Sequence, residues 1–295
     1  MVYPGGVGPG RNGPGQDWDR DGAVDPRARD HLRALGSLDD DAIDLTEAAL
    51  HIALLLQPGA DLDPYRALLA DMTAAVGGRN ALGLSDRAAA LAGAIAGDYG
   101  FSGDAETYDD LANASLIRVI DRRKGLPITL AILYLHVGRA LGWPIHGLGF
   151  PGHFLVALDG AGGRAILDPF DGGAPRQPHE LRALAKRMQG PEAELSPALF
   201  APAGNRAILT RLQNNLRTRL VRQGAFEPAL LAAEAVTWFN PHDAAAWRDM
   251  GMLHAELGNL RAALMTLEES LGCDDQPSRR HLTAALIQKL RQRLN

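Results

Sequence analysis

The sequence predicts an α+β protein: a helical region, then a small antiparallel sheet beside one strongly apolar helix, then an α–α repeat tail. Three observations predict it. Residues 28–100 carry apolar side chains at helical spacing with polar interruptions. Three short β-like runs, 145–150, 153–158 and 164–168, follow an apolar helix and are joined by Pro151-Gly152 and by Gly160 to Gly163. Connections that short favour an antiparallel meander. Finally, Gly224 and Gly258, like Ala229 and Ala263, stand 34 residues apart, a helical-repeat period.

The elements can be taken in order. Residues 1–27 are dominated by Gly, Pro, Asp and Arg. They cannot bury enough apolar surface to offset ordering entropy and are expected to be a disordered tail. Helices are expected from about Ala28, over Ile43–Leu56 with Pro58-Gly59 as the stop, and from Asp63-Pro64 through Met72. Another follows Ser85 or Asp86 as N-cap and stops at Gly97 or Gly100. A helix from Asn113 to Lys124 would end at Gly125, with Arg122, Arg123 and Lys124 in the last turn, where cations suit the dipole. Pro127 suits the first turn of the next helix, which runs to Gly142. After Pro178 the pattern is helical to the end. The expected domains are 28–200 and a repeat tail, 201–295, in which Trp238, Phe239 and Trp247 form core or flank a peptide groove. Two repeats are fewer than independent stability normally needs, so the tail should pack on the central domain.

Composition narrows the function. The chain has 295 residues, 46% apolar, and a net charge of −5 with both signs interspersed. That argues against a nucleic-acid partner, which needs a large basic surface. Met1 to Trp18 holds no apolar stretch of signal type, and no run is long and apolar enough for a membrane span, so a cytoplasmic protein without a membrane partner is expected. Cys273 is the one cysteine. With no Cys pair and no H-E-x-x-H, neither a metal nor another cofactor is expected. Asp274 and Asp275 beside Cys273 would raise its pKa and blunt its reactivity. Gly147 to Gly152 matches G-x-G-x-x-G, but a strand rather than a helix follows and Pro151 removes a donor, so no dinucleotide site is expected.

Chemistry concentrates in 113–173. A helix, then a strand opened by a histidine, then a strand closed by an aspartate is the order in which a thiol nucleophile, its base and the base's orienting carboxylate are assembled. His153 and Asp168 fill the second and third places. The helix opens with Leu126-Pro127-Ile128-Thr129, without a thiol. Thr129 has a hydroxyl, but its first-turn position favours a backbone hydrogen bond. His153 also reads as a structural histidine and Asp168 as a turn residue. Arg122 and Arg123 read either as a solvated helix end or as an anion or partner site at the cleft mouth.

These residues resemble the Sir-B-type family of transglutaminase-like proteins. The likeness rests on Asn113 and Leu116; on Arg122, Arg123, Gly125, Pro127 and Leu130; on Pro151, Gly152, His153, Phe154 and Leu155; and on Asp168, Pro169 and Phe170. Ala114, Leu126 and Thr129 depart from the family's Ser, Ile and Ser. The resemblance implies a transglutaminase-like (papain-like) core in which Pro127, counted back from Gly142, takes roughly the slot of the cysteine in active transglutaminases. It implies the fold and not the reaction. The expected function is a non-catalytic adaptor or regulator that binds a protein or peptide. Its candidate cleft residues are His153, Asp168 and Thr129, and its binding residues Asn113, Arg122, Arg123, Pro127 and Phe154. The alternatives are a cysteine-free hydrolase or amide-transfer enzyme using His153 and Asp168, and a scaffold whose cleft is vestigial.

Overall fold

A computed structural model describes residues 24–294; most of the expected disordered tail, 1–23, lies outside the described residues. Helix α1 (Pro26–Leu35) begins slightly earlier than the apolar pattern suggests, because Asp25 caps it. The Asp25 carboxylate accepts the Arg27 and Gly59 backbone N–H groups and so also ties α1 to the loop at Gly59. Helix α2 (Leu45–Ala53) is capped by Asp44 and is buried almost all round. Helix α3 (Asp63–Gly77) continues past Met72. The N-cap of α4 (Leu84–Ala92) is Gly83 rather than Ser85 or Asp86; Asp86 instead reaches back to accept the Gly83 N–H at 3.3 Å. A π-helical stretch, Gly93–Asp98, prolongs α4, and the chain turns at Gly100 with φ +72°.

The expected helix over Asn113–Lys124 is shorter and preceded by other structure. Strand β1 (Ser102–Gly103) comes first, then a 3-10 turn at Leu111–Ala114, then α5 (Leu116–Arg122). Arg123 closes α5 in the left-handed region, φ 59°, so only Arg122 lies in the last turn. Lys124 and Gly125 form β2 (Lys124–Gly125), paired in parallel with β1. The turn wins because the strand pairing satisfies backbone groups that another helical turn would have to satisfy internally.

Helix α6 (Pro127–Ala140) carries proline at its start and is buried from Pro127 to Leu135, which makes it the central helix. Strands β3 (Ile145–Leu148), β4 (Leu155–Gly160) and β5 (Gly163–Asp168) form the expected antiparallel meander. Two short edges were not legible in advance: β6 (Ala174–Pro175) and β7 (Pro202–Ala203). The order is β6-β5-β4-β3-β7. Alternation along β4 explains the layering. Val156 and Leu158 face the main core with α6, while Leu155 and Ala157 join Leu148 and Phe150 against Leu181, Leu184 and Ala185 of α7 (Pro178–Gln189). The segment after α7 is not continuously helical. It holds a 3-10 turn, Pro197–Phe200, and β7, which pairs with β3 although it falls beyond residue 200.

The tail is α8 (Asn205–Arg222), α9 (Phe226–Phe239), α10 (Ala244–Glu256), α11 (Leu260–Cys273) and α12 (Pro277–Leu294). Gly224 and Gly258 sit in the α8–α9 and α10–α11 turns at φ +73° and +77°, conformations glycine adopts without strain. Trp238 and Phe239 are buried, and Trp247 donates its ring N–H to the Pro241 carbonyl at 2.8 Å. The tail is joined to the rest by hydrogen bonds through Asp40, which accepts the Asn205 and Arg206 N–H groups, and through Arg206, which donates to the Leu35 carbonyl. No helix among the described residues is long and apolar enough to cross a membrane.

Candidate functional site

The antiparallel pairing of β4 with β5 sets Val156 opposite Leu167, so the entry to β4 lies beside the exit of β5. His153 stands in the turn two residues before β4, not as its first residue, and Asp168 ends β5. Gly152, at φ +65°, makes that turn possible; a Cβ there would also stand 2.6 Å from the Met188 sulfur. The outcome is a hydrogen bond of 2.8 Å between His153 Nε2 and Asp168 Oδ1.

Asp168 is buried, and its carboxylate is fully engaged. Oδ1 also accepts the Phe170 N–H, while Oδ2 accepts Arg176 Nε and Nη2 at 3.1 and 2.9 Å. Arg176 further holds Asp171 and Glu180. Burial pushes the Asp168 carboxyl up, but His153 and Arg176 outweigh it, and the group titrates below its ordinary value. An ionised Asp168 can only accept, so Nε2 carries the hydrogen and donates it, and in the neutral ring Nδ1 is the acceptor. Behind the carboxylate lies the Tyr134 hydroxyl of α6, which has no hydrogen-bond partner among the described residues. Burial and the Asp168 charge raise its pKa.

Aromatic rings frame the histidine. Phe170 stands edge-on to His153 at 6.1 Å and to Tyr108 at 5.8 Å. Phe170 is seated against Gly103, where a Cβ would come within 2.5 Å of its ring and carbonyl. The resulting cavity, about 620 Å³, opens between this aromatic wall and α7, whose His179, Arg187 and Met188 complete the lining.

The other sequence-derived candidates are elsewhere. Thr129 is fully buried and donates its hydroxyl to the Asn113 carbonyl at 2.9 Å, the backbone bond its position favours. It does not line the cavity, which removes it from reach as a nucleophile in this conformation. Pro127 is packed in the core. Asn113 donates to the Thr107 carbonyl and accepts from Arg122, fixing the 104–114 loop to the end of α5. Arg122 is neutralised by Asp104 at 3.0 Å and Asp110 at 3.5 Å, so it is not a free anion site at the cleft mouth. Arg123 lies over the Phe101 ring. Phe154 is core, with Gly147 and Ile208 close by. None of these six lines the His153 cavity. Cys273 ends α11; burial first, then Glu269 and Asp243, raise its pKa.

Sequence reasoning missed Arg176, Tyr108 and Arg211. Phe170 was visible in Asp-Pro-Phe but without a role. Arg176 follows Asp168 after a double glycine, and a tight reversal at Gly172-Gly173 is the one signal that would have returned it to the carboxylate. Nothing local marks Tyr108 or Arg211, which arrive from distant loop and tail positions.

Comparison with known proteins fits this geometry. A family profile described as "Transglutaminase-like superfamily" matches residues 63–214, and one described as "Tetratricopeptide repeat" matches 216–295. The chain is similar to a UPF0162 protein of Xylella fastidiosa, with 34% identity over 242 residues, 80% of this chain and 86% of that one. A UPF0162 protein of Pseudomonas aeruginosa is 34% identical over 183 residues, 61% of this chain and 66% of its own. Protein SirB1 of Salmonella typhimurium is 27% identical over 172 residues, covering 58% and 64%.

Proposed function

Because the chain belongs to the transglutaminase-like superfamily and closes with tetratricopeptide repeats, we propose that it is a non-catalytic adaptor that holds a peptide segment of a protein partner in the cleft at His153. One observation carries this reading. The base half of a thiol-type site is assembled, while the helix that would present the nucleophile begins with a core-packed proline. Acyl transfer through a thioester needs a thiolate within hydrogen-bond reach of the base. Cys273, the sole thiol, belongs to α11 in the repeats. His153 and Asp168 then serve as the polar floor of a cavity walled by Tyr108, Phe170 and Met188 and lined also by Arg176, His179, Glu180 and Arg187, a mixture of apolar and charged groups suited to a peptide side chain. The repeats supply further surface for the same partner, and the compartment this reading favours is the cytoplasm.

The test uses purified protein. It should incorporate no amine into glutamine-donor peptides and hydrolyse no peptide above buffer. A partner retained by wild-type protein should be lost from His153→Ala and kept by Cys273→Ser. Amine incorporation abolished by Cys273→Ser would refute the reading.

A second reading draws on the acceptor at His153 Nδ1, which would let the pair activate a water in a cysteine-free hydrolase or amide-transfer enzyme. General-base help is worth about 10²–10⁴-fold, modest for amide cleavage without a covalent intermediate. Hydrolysis that disappears in His153→Ala and survives Cys273→Ser would establish it.

A further inference from the structure

A second cavity, about 820 Å³, runs along α8 and shares the lining residues Tyr108 and Gly152 with the His153 cavity, so the two adjoin at that pair. The arginines along it differ in one respect. Arg206 is paired with Asp40, and Arg219 and Arg222 with Asp109. Arg211 has no acidic partner among the described residues. It is half-buried over the Phe154 ring, and burial pushes its pKa down. Its Nη2 donates to the Phe150 carbonyl at 2.8 Å and the His153 carbonyl at 2.5 Å. A guanidinium has five N–H donors, and those on Nε and Nη1 have no partner among the described residues. On the same face, the Thr210 hydroxyl is buried and equally unpartnered.

A half-buried cation held by two carbonyl oxygens and an aromatic ring still lacks a counter-charge, and a carboxylate is the ligand that supplies one. The planar guanidinium edge also matches a carboxylate in geometry. We propose that Arg211 binds the side-chain carboxylate of an extended peptide whose neighbouring residues cross Gly152 into the His153 cavity. The proposal rests on the peptide-binding reading above and names what that peptide must carry. Arg211 touches the backbone of His153 itself, and an extended chain advances about 3.3 Å per residue. The acid therefore stands about one to three positions from an apolar residue packed on Tyr108, Phe170 and Met188. The charge comes from the protein partner, not from a free anion, because the two adjoining cavities, about 820 and 620 Å³, are far larger than a small anion needs.

Selection of displayed random dodecapeptides on the full chain tests this, with wild type, Arg211→Gln and Arg211→Lys as parallel baits. Wild type should enrich Asp or Glu at one position beside an apolar residue. Arg211→Gln should lose that preference, and Arg211→Lys should keep it in weaker form. Exchanging the acid for its amide in a selected peptide should weaken binding to unmodified wild type at least tenfold. That measurement holds even if Arg211→Gln does not fold. Selected peptides without acid enrichment, an amide exchange without effect, or an acid preference that persists in folded Arg211→Gln would each overturn the Arg211 proposal while leaving the cleft reading standing. Failure to select any peptide would overturn both.

Discussion

The two halves of the site are built on opposite principles. On the sheet side, His153, Asp168, Arg176, Asp171 and Glu180 form a polar chain reaching from a buried carboxylate out to the surface. On the helix side, Pro127, Ile128 and Thr129 are packed as core, and among the described residues the one side-chain hydrogen bond these three make is from the Thr129 hydroxyl to the Asn113 carbonyl. A working thiol site would need both halves to face one cavity. Here only the sheet half does. The contrast teaches that a histidine–carboxylate pair can be held by its own network, independently of any nucleophile. The pair's geometry alone is therefore no argument for catalysis.

Mutations can break or sharpen this contrast. Asp168→Ala should have the largest effect. It strips His153 and Arg176 of their shared partner and removes the acceptor of the Phe170 N–H. Removing one side of a buried charge pair costs about 3–5 kcal/mol, and chemical denaturation should show a loss of that order. Thr129→Val on the helix side keeps the shape and leaves the Asn113 carbonyl with the Leu126 N–H as its remaining donor. We expect a loss of about 0.5–1.5 kcal/mol with peptide binding unchanged. If Thr129→Val abolished binding with the fold intact, the helix side would belong to the site after all.

Acid loads both halves in the same direction and more gently. On the helix side Asp104, which braces Arg122, is pushed up by burial but drawn down further by Thr107, Asn113 and Arg122, to about 2 from 3.8. A depressed carboxylate stabilises the fold above its unfolded pKa, and that contribution fades as pH falls through the folded value. Melting temperature should therefore drop between pH about 4 and about 2, and Asp104→Asn should flatten that drop. Asp168 acts in the same direction on the sheet side. A comparably small effect belongs to His153→Ala. Asp168 keeps Arg176 and the Phe170 N–H, so stability should fall by only about 0.5–1.5 kcal/mol while partner binding is lost. A loss of several kcal/mol would mark His153 as structural.

Much of the fold was legible because it is written in local patterns. The meander declared itself through alternation in 153–158 and the glycines of 160–163, the tail through glycines at a fixed period, and the start of α6 through Pro127. What was hidden depends on pairing at a distance. Lys124 and Gly125 read as a helix end because their partners, Ser102 and Gly103, lie beyond two intervening turns of chain. Pro202 and Ala203 are a strand only because β3 has a free edge. The site divides in the same way. His153 and Asp168 lie on adjacent strands, so the sheet brings them together. Arg122 offered an unattached cation in sequence, yet the acidic 104–110 loop folds back to neutralise it.

Arg211 also bears on the order in which the molecule is made. It follows His153 by 58 positions, and its side chain grips the carbonyls on both sides of the Pro151-Gly152 turn. A ribosome adding about 5–20 residues per second spends on the order of 3–12 s between the two. Until Arg211 is made, the turn that carries the histidine lacks the two donors that tie it to α8, and its side-chain hydrogen bond is the one to Asp168.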